Sequence, residues 1–422
     1  MRIAIVNQFY PPDAAPTGAL AASLAEHRAR CGDEVTVVTS RGGYVTVSHA
    51  PSLRHPSDRL KVHRVWTPRL GKRSGLCRCL DYLAFFMAAA WRLLCLPRQD
   101  VVVAMTTPPF LICAALLHKL LHPHTRLILW NMDCYPEVAE RDGMIRAGGW
   151  ISRALRALNR AVLAYVDRVV CLDPAMAALL EKHYGSVRRP LPVSVIPNWE
   201  PLEVGSRDRS SSPLDRQVAE RLDGKFVVLY TGNRGRGHHF ATVLDAAEAL
   251  RGEPVCFCFV GGGSQTGAIR QAIVDRYLTN VILMDYVPGA QLRALLSAAH
   301  CALITLREEM LGVMSPSKLH VSLAFGLPVL YMGPAGSNVD LAIKRFGCGA
   351  SLRPGDLEAV LGFLRHAVAH PEHMASLRVR ARRAFEEAYC DARTLPQFDA
   401  LLTQQAEAPL HAAETLGLRR AA

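Results

Sequence analysis

Short apolar runs alternate with amphipathic stretches along most of the chain. Residues 2–7, 34–39, 61–66, 100–105, 126–130, 168–172 and 193–196 read as strands, with helical spacing between most of them. Residues 101–104, Val-Val-Val-Ala, are apolar without alternation, as in a strand buried on both faces. The pattern predicts a helix over 19–30, with Leu20, Leu24 and His27 on one face and Gly32 as its stop. Residues 197–213, rich in Ser, Arg and Pro, read as a linker. Beyond it the alternation restarts: strands at 226–230, 254–260, 280–284, 300–305 and 327–331, helices near 240–251, 268–277, 291–299, 317–325 and 338–344. A helical tail runs from 357 to about 405, and 406–422 read as frayed. Strand–helix alternation implies parallel sheets covered on both faces. The fold expected is α/β, two doubly wound Rossmann-like domains facing a central cleft, with ligands at the carboxyl ends of the strands.

Composition narrows the function. Half of the 422 residues are hydrophobic, enough for real cores. The net charge of +12 would suit nucleic acid, but no helix-turn-helix, RNP motif or basic repeat accompanies it, so no nucleic-acid partner is expected. Twelve cysteines lie in apolar stretches, as in Val255-Cys256-Phe257-Cys258-Phe259, or as the pair Cys77 and Cys79, with no CxxC pair and no zinc spacing; they suggest buried thiols in a reducing compartment. Residues 1–6 meet Pro11-Pro12 too soon for a leader and read as a first strand. No run reaches the roughly 18 apolar residues of a spanning helix.

Four loops carry candidate chemistry. Residues 11–18 follow the first strand, and Gly18 would let an anion approach a helix N-terminus. Residues 230–240, Tyr-Thr-Gly-Asn-Arg-Gly-Arg-Gly-His-His-Phe, place Gly232, Asn233, Gly235, Arg236 and His238 in a loop suited to a diphosphate, without the Gly-Lys-Ser/Thr of a P-loop. Residues 260–267 bring Gly261 and Gly263 but miss the dinucleotide fingerprint, because its sixth position is Thr266. Residues 308–319 end in Pro316-Ser317-Lys318 at a helix start, where a hydroxyl, free N–H groups and an ammonium would meet a phosphate. At 72–98, Lys72, Arg73 and Arg78 precede apolar and aromatic residues; either an interfacial helix or a core helix packed on the sheet would explain them.

Taken together, the chain resembles the family-4 glycosyltransferases of GT-B fold, in particular bacterial surface-polysaccharide members such as the WbuB-type enzymes. The resemblance rests on Asn7-Gln8-Phe9-Tyr10-Pro11-Pro12, Asp133-Cys134-Tyr135-Pro136-Glu137, Ile196-Pro197-Asn198, Tyr230-Thr231-Gly232-Asn233 with Gly235-Arg236, Phe259-Val260-Gly261-Gly262-Gly263, and Pro316-Ser317-Lys318-Leu319 leading to Gly326-Leu327-Pro328-Val329. It implies a retaining transfer from a nucleotide sugar, usually a UDP-sugar, to a polyprenyl-linked or other saccharide acceptor, without metal or cofactor. No Asp-x-Asp occurs in the chain. Residues 1–199 would hold the acceptor, 200–385 the donor, and 386–422 would pack back towards the N-terminal domain. The segment 72–98 would meet the inner face of the cytoplasmic membrane, making the protein cytoplasmic and peripheral.

By the same resemblance Arg236 and Lys318 would stabilise the leaving diphosphate, and Asp133 or Glu137 would orient or deprotonate the acceptor. Gly18, Gly232, Asn233, Gly235, His238, Gly261, Gly263, Tyr286 and Ser317 would contact the donor. The family's paired glutamates fall here on Val313 and Val321, so Glu309 or Asp340 would have to reach the ribose. A sugar-nucleotide 2-epimerase of the same fold, or an inactive nucleotide-sugar-binding relative, are the alternatives.

Overall fold

The computed structural model describes residues 1–13, 15–42, 57–68, 70, 75–186, 190–202, 204–205 and 214–404. Two compact units divide the chain. The first comprises Met1–Pro197, Gly312–Met314 and Leu395–Ala422; the second comprises Asn198–Leu311 and Ser315–Thr394.

The first unit holds a seven-stranded sheet. Its strands are β1 (Arg2–Val6), β2 (Glu34–Ser40), β3 (Leu60–Val65), β4 (Val101–Met105), β5 (Arg126–Trp130), β6 (Arg168–Cys171) and β7 (Val193–Val195), in the order β3-β2-β1-β4-β5-β6-β7. Every pairing is parallel, with Ile3 beside Val35 on one flank and Val101 on the other. Central strands need cover on both faces, and all five residues of β4 are buried. The first helix spans Pro16–Arg30, three residues earlier than the pattern predicts, because Pro16 is preset for the first helical turn. The C-terminal helix Asp391–Thr403 brings Phe398 to 4.6 Å from the Trp130 ring. Arg28 donates to Asp399 at 2.7 Å, and Arg126 to the carbonyls of Leu401 and Leu402.

The second unit holds β8 (Phe226–Thr231), β9 (Val255–Val260), β10 (Val281–Met284), β11 (Cys301–Thr305), β12 (Val329–Met332) and β13 (Gly349–Leu352), all parallel in the order β10-β9-β8-β11-β12-β13. β13 was not legible in the pattern. Gly349-Ala350-Ser351-Leu352 lies at the sheet edge, half-buried, with neither alternation nor an apolar run.

Two other expectations change. The stretch read as a linker is ordered at its start: Trp199 is buried, Glu200 donates its N–H to the Tyr389 carbonyl, and Arg382 donates to the carbonyls of Leu202 and Val204. Residues 203 and 206–213 lie outside the described residues, as do Arg69, Lys72, Arg73 and the tail from 405. The thiols are not all buried. Cys31, Cys79 and Cys95 are exposed and Cys77 and Cys113 half-buried, because 77, 79 and 95 sit on or just beyond a helix whose outer face meets solvent.

Candidate active site

Both sheets reverse strand order beside the first strand of their unit, between β1 and β4 and between β8 and β11. Loops leaving such a pair splay apart and leave space at the strand ends.

In the second unit the switch-point loops are 232–240 after β8 and, after β11, residues 306–311 and 315–317. The Thr305 carbonyl, the last of β11, accepts from His238 Nδ1 at 2.6 Å; Arg307 N–H donates to the Gly237 carbonyl at 2.9 Å and Arg307 Nη1 to the Arg236 carbonyl at 3.3 Å. Lys318 opens the next helix, Lys318–Ala324. Its ammonium donates to His238 Nε2 at 3.1 Å and stands 4.9 Å from the centre of the Tyr230 ring. No carboxylate pairs with it among the described residues. Burial pushes its pKa from 10.5 down to about 7, because the charged form loses water and gains no counter-charge. Burial, and then the Lys318 charge, push His238 down to about 3, so its ring is neutral. A partly desolvated cation next to glycine backbone at a switch point has the chemistry to receive a phosphate or diphosphate.

The other donor-side residues separate into two groups. Asn233, Arg236 and Ser317 are exposed around Lys318's loops, and Gly232 lies beside the Lys318 stem, with a Cβ there 3.4 Å from Cε. Ser317 does not cap its helix through its hydroxyl; its carbonyl accepts from the His320 N–H and ring. Gly261 and Gly263 serve the protein's own packing. Added Cβ atoms would fall 2.1 Å from the Gly232 oxygen and 2.5 Å from the Arg234 backbone, so these glycines let two loops lie backbone to backbone. Gly235 differs, since the nearest contacts of its Cβ position are with the exposed Asn233 side chain, at 2.9 Å from Nδ2, and not with backbone. Tyr286 is exposed and its ring lies over Gly262.

Arg234 carried no distinguishing signal, being one of two arginines in a glycine loop. It is fully buried, donating to the Gly261 and Met284 carbonyls and to Thr266 Oγ1 at 3.2 Å. It is the clamp beneath both loops, and Arg236 the one that reaches solvent.

The acidic candidates for the ribose fare differently. Asp340 is fully buried and its oxygens are taken by Lys344 at 2.8 Å, Ser351 at 2.6 Å and the Gly336 N–H at 2.7 Å, which hold its pKa down although burial pushes it up. It stabilises the start of helix Asn338–Phe346 and is not available to a ligand, a correction to the sequence expectation. Glu309 is exposed, 3.3 Å from Arg307. Val321 packs against the apolar cluster of Leu295, Leu296 and Leu327, so the position of the family's glutamate offers no polar group.

In the first unit, Gly18 lets the chain at Phe9 and Tyr10 close onto the helix Pro16–Arg30; a Cβ there would stand 3.1 Å from that backbone. Gln8 N–H donates to the Thr107 carbonyl at 2.9 Å, joining the loops after β1 and β4. Thr106 Oγ1 accepts from the N–H groups of Met132 and Asp133, which fixes the loop after β5. Asp133 is half-buried, lines a small cavity of about 30 Å³ with Thr106, Phe110, Tyr135 and Asn159, and its carboxylate has no hydrogen-bond partner among the described residues. Burial, reinforced by Asp142, pushes its pKa up to about 6. Such a carboxyl can take a proton near neutrality.

Glu137 is placed differently. It is buried, and its Oε1 receives His183 Nδ1 at 2.7 Å, Tyr184 Oη at 2.9 Å and Arg156 Nη1 at 3.3 Å. The structure gives it an internal ion-pair network and separates it from Asp133, with which the sequence grouped it.

One group of metal-capable side chains converges among the described residues: His27, Cys31 and Asp399, whose ligand atoms lie within 4.8 Å. Asp399 is already bonded to His27 and Arg28, as a latch for the C-terminal helix.

Comparison with known proteins agrees with this geometry. Residues 17–199 match the family model of the glycosyl transferase 4-like domain, and 225–361 that of the glycosyl transferases group 1. The probable glycosyltransferase WbjE of Pseudomonas aeruginosa is 26% identical over 264 residues, which span 61% of this chain and 64% of that protein. The putative colanic acid biosynthesis glycosyl transferase WcaI of Escherichia coli K12 is 25% identical over 401 residues, 92% of this chain and 97% of that one. In fold, the chain is similar to Alr3699/HepE of Anabaena, with a TM-score of 0.67, 13% identity, and 96% and 100% of the two chains covered. The chain therefore belongs to the GT-B glycosyltransferases, with a glycosyl transferase 4-like domain followed by a glycosyl transferases group 1 domain.

Proposed function

We propose that the protein transfers a sugar, with retention of configuration and without a metal ion, from a UDP-sugar to a lipid-linked saccharide in bacterial surface-polysaccharide synthesis. The observation that carries this reading is Lys318, a cation held at a strand switch point without a carboxylate. When the bond from the sugar to the diphosphate breaks, negative charge grows on the leaving oxygen, and a preorganised cation stabilises that change more than it stabilises the bound donor. Arg236, exposed on the loop after β8 that also carries His238, adds a second charge. The choice of UDP draws on Alr3699/HepE, whose structure contains UDP and glucose. The surface-polysaccharide role draws on WcaI and its assignment to colanic acid biosynthesis.

The acceptor chemistry belongs to the first unit. Asp133, with its raised pKa and unbonded carboxylate, orients the acceptor hydroxyl. The lipid-linked acceptor and peripheral attachment draw on the helix Gly75–Leu94. Leu80, Leu83, Met87 and Trp91 stand exposed at spacings of three and four residues, while Phe85, Ala89 and Leu93 are buried beneath. Leu117, Leu120 and Leu121, on the helix packed against it, are exposed as well. Exposed apolar residues repeated along one helix face mark an interaction surface. Among the described residues no helix is long and apolar enough to cross a membrane.

The test is incubation with labelled UDP-sugars and a polyprenyl-diphosphate sugar, with the new anomeric linkage read by NMR. Transfer with the donor's configuration kept supports the reading. A new nucleotide sugar formed without acceptor overturns it for an epimerase, and donor binding without turnover overturns it for an inactive relative.

A further inference from the structure

A lysine ammonium on a four-carbon stem is mobile, and ordering it costs side-chain entropy. The usual device for holding it is a carboxylate. At the leaving-group site a carboxylate would cancel the charge the reaction needs and repel the diphosphate. The groups facing Lys318 are the ring of His238, from the loop after β8, and the ring of Tyr230, from β8 itself. Among the described residues no acid faces it.

The imidazole is fixed from its far side. A carbonyl can only accept, so the 2.6 Å contact with the Thr305 oxygen places the ring proton on Nδ1 and leaves the Nε2 lone pair for the Lys318 ammonium. His238 is buried, and the Tyr230 and Phe240 rings pack around it with centroids at 5.8 and 6.3 Å. Thr305 is the last residue of β11, fully buried and paired with Met332 in the sheet.

We propose that His238 is a positioning residue for Lys318: a neutral imidazole, locked in one tautomer by the Thr305 carbonyl, holds the ammonium in place without neutralising it. The Thr305 bond thus selects the tautomer, and the Nε2 bond holds the charged atom. This gives His238 a different role from that of a donor ligand, and it rests on the reading of Lys318 as the group that stabilises the leaving diphosphate. The low pKa of His238 agrees with it, since an imidazolium could not accept from Lys318.

Two substitutions separate the two bonds of the ring. In His238→Asn the amide nitrogen stands near the place of Nδ1 and keeps the bond to Thr305, while the acceptor for Lys318 is gone. In His238→Gln the amide oxygen reaches the place of Nε2 and keeps that acceptor, while the Thr305 bond is lost. The expected result is a fall in kcat of about tenfold or more for Asn, with the donor KM changed by less than about threefold, and a kcat within about threefold of wild type for Gln. The reverse ranking overturns the proposal, because a ring that only ties its loop to Thr305 is replaced better by Asn.

A second readout does not depend on turnover. The rate of Lys318 acylation against pH, followed by mass spectrometry, reports the Lys318 pKa directly. Removing the acceptor withdraws support from the ammonium, so the midpoint falls in Asn and stays near that of wild type in Gln. An unchanged midpoint in Asn, or a fallen one in Gln, overturns the proposal. Wild-type turnover in Lys318→Ala would instead overturn the leaving-group reading, and the acylation midpoints would still decide whether His238 positions the lysine.

Discussion

A Cβ at position 261 would fall 2.1 Å from the carbonyl oxygen of Gly232, so the loops after β8 and β9 approach each other more closely than any side chain allows. Gly261 also has φ +128, a conformation that L side chains rarely adopt. Gly261→Ala should therefore destabilise the second unit by about 3 kcal/mol or more, through strain and forced loop separation. Thermal unfolding checks it. A melting temperature within 1–2 °C of wild type, by about the scale that links stability to Tm, would show that the loops can part freely.

Lys318→Ala and Arg236→Ala should each lower kcat by roughly a hundredfold, the scale for removing one preorganised electrostatic donor, with a smaller effect on UDP affinity. Steady-state kinetics with calorimetric UDP binding distinguish the two. Wild-type turnover in both would leave the leaving group without a stabiliser.

The pH dependence of Lys318 has opposite signs for stability and activity. Its pKa is lowered by burial to about 7, so the folded state prefers the neutral amine. Between about 7 and 10.5 the unfolded chain binds the proton that the folded one has released, and stability rises with pH across that window. If the Lys318 ammonium stabilises the leaving diphosphate as proposed, kcat/KM for the donor should fall as pH rises through about 7. Lys318→Arg should move this limb upward by about 2 units or more, since a guanidinium stays charged across the working pH range. Lys318→Met should raise Tm by about 2–4 °C below pH 7 while abolishing turnover.

Asp133 and Glu137 lie four residues apart and should fail differently. Asp133→Asn removes a carboxylate that the fold holds near pKa 6, so it should keep UDP binding, lose turnover, and be more stable than wild type above pH 6. Glu137→Gln removes the buried carboxylate that His183, Tyr184 and Arg156 donate to, while Arg156 keeps Glu140 at 2.6 Å, and should cost about 1–3 kcal/mol of stability, the scale for leaving a buried polar group unpaired. Denaturant unfolding beside a transfer assay checks both. A Glu137→Gln protein of wild-type stability but no turnover would move the acceptor base from Asp133 to Glu137.

Leu83→Glu with Trp91→Glu should abolish binding to anionic liposomes without unfolding the protein, because both side chains are exposed, at 59% and 70%. Phe85→Glu would be misleading, since Phe85 is wholly buried and its loss breaks the core. Liposome flotation with a circular-dichroism melt is the measurement. Unchanged flotation of the folded double variant would remove the membrane surface from this helix.

Much of the fold was legible along the chain because both sheets are parallel and buried on two faces. β1, β4, β8, β9 and β11 are near-continuous apolar runs, and periodicity alone finds such strands. β13 was not, since an edge strand of small residues meets no packing demand that writes itself into sequence. Within the site, residue type and order singled out Lys318, Arg236 and the glycine loops. They could not say which glycines serve a ligand and which serve a neighbouring loop, because that depends on a backbone thirty residues away. Nor could they separate Arg234, turned inward onto carbonyls, from Arg236, turned out, or Asp340, spent on its own helix, from an acid free to bind. Sequence sets which chemistry is present and roughly where each strand ends. Burial and partners are properties of the packed chain, and they alone decided that Lys318 has an imidazole beside it in place of a carboxylate.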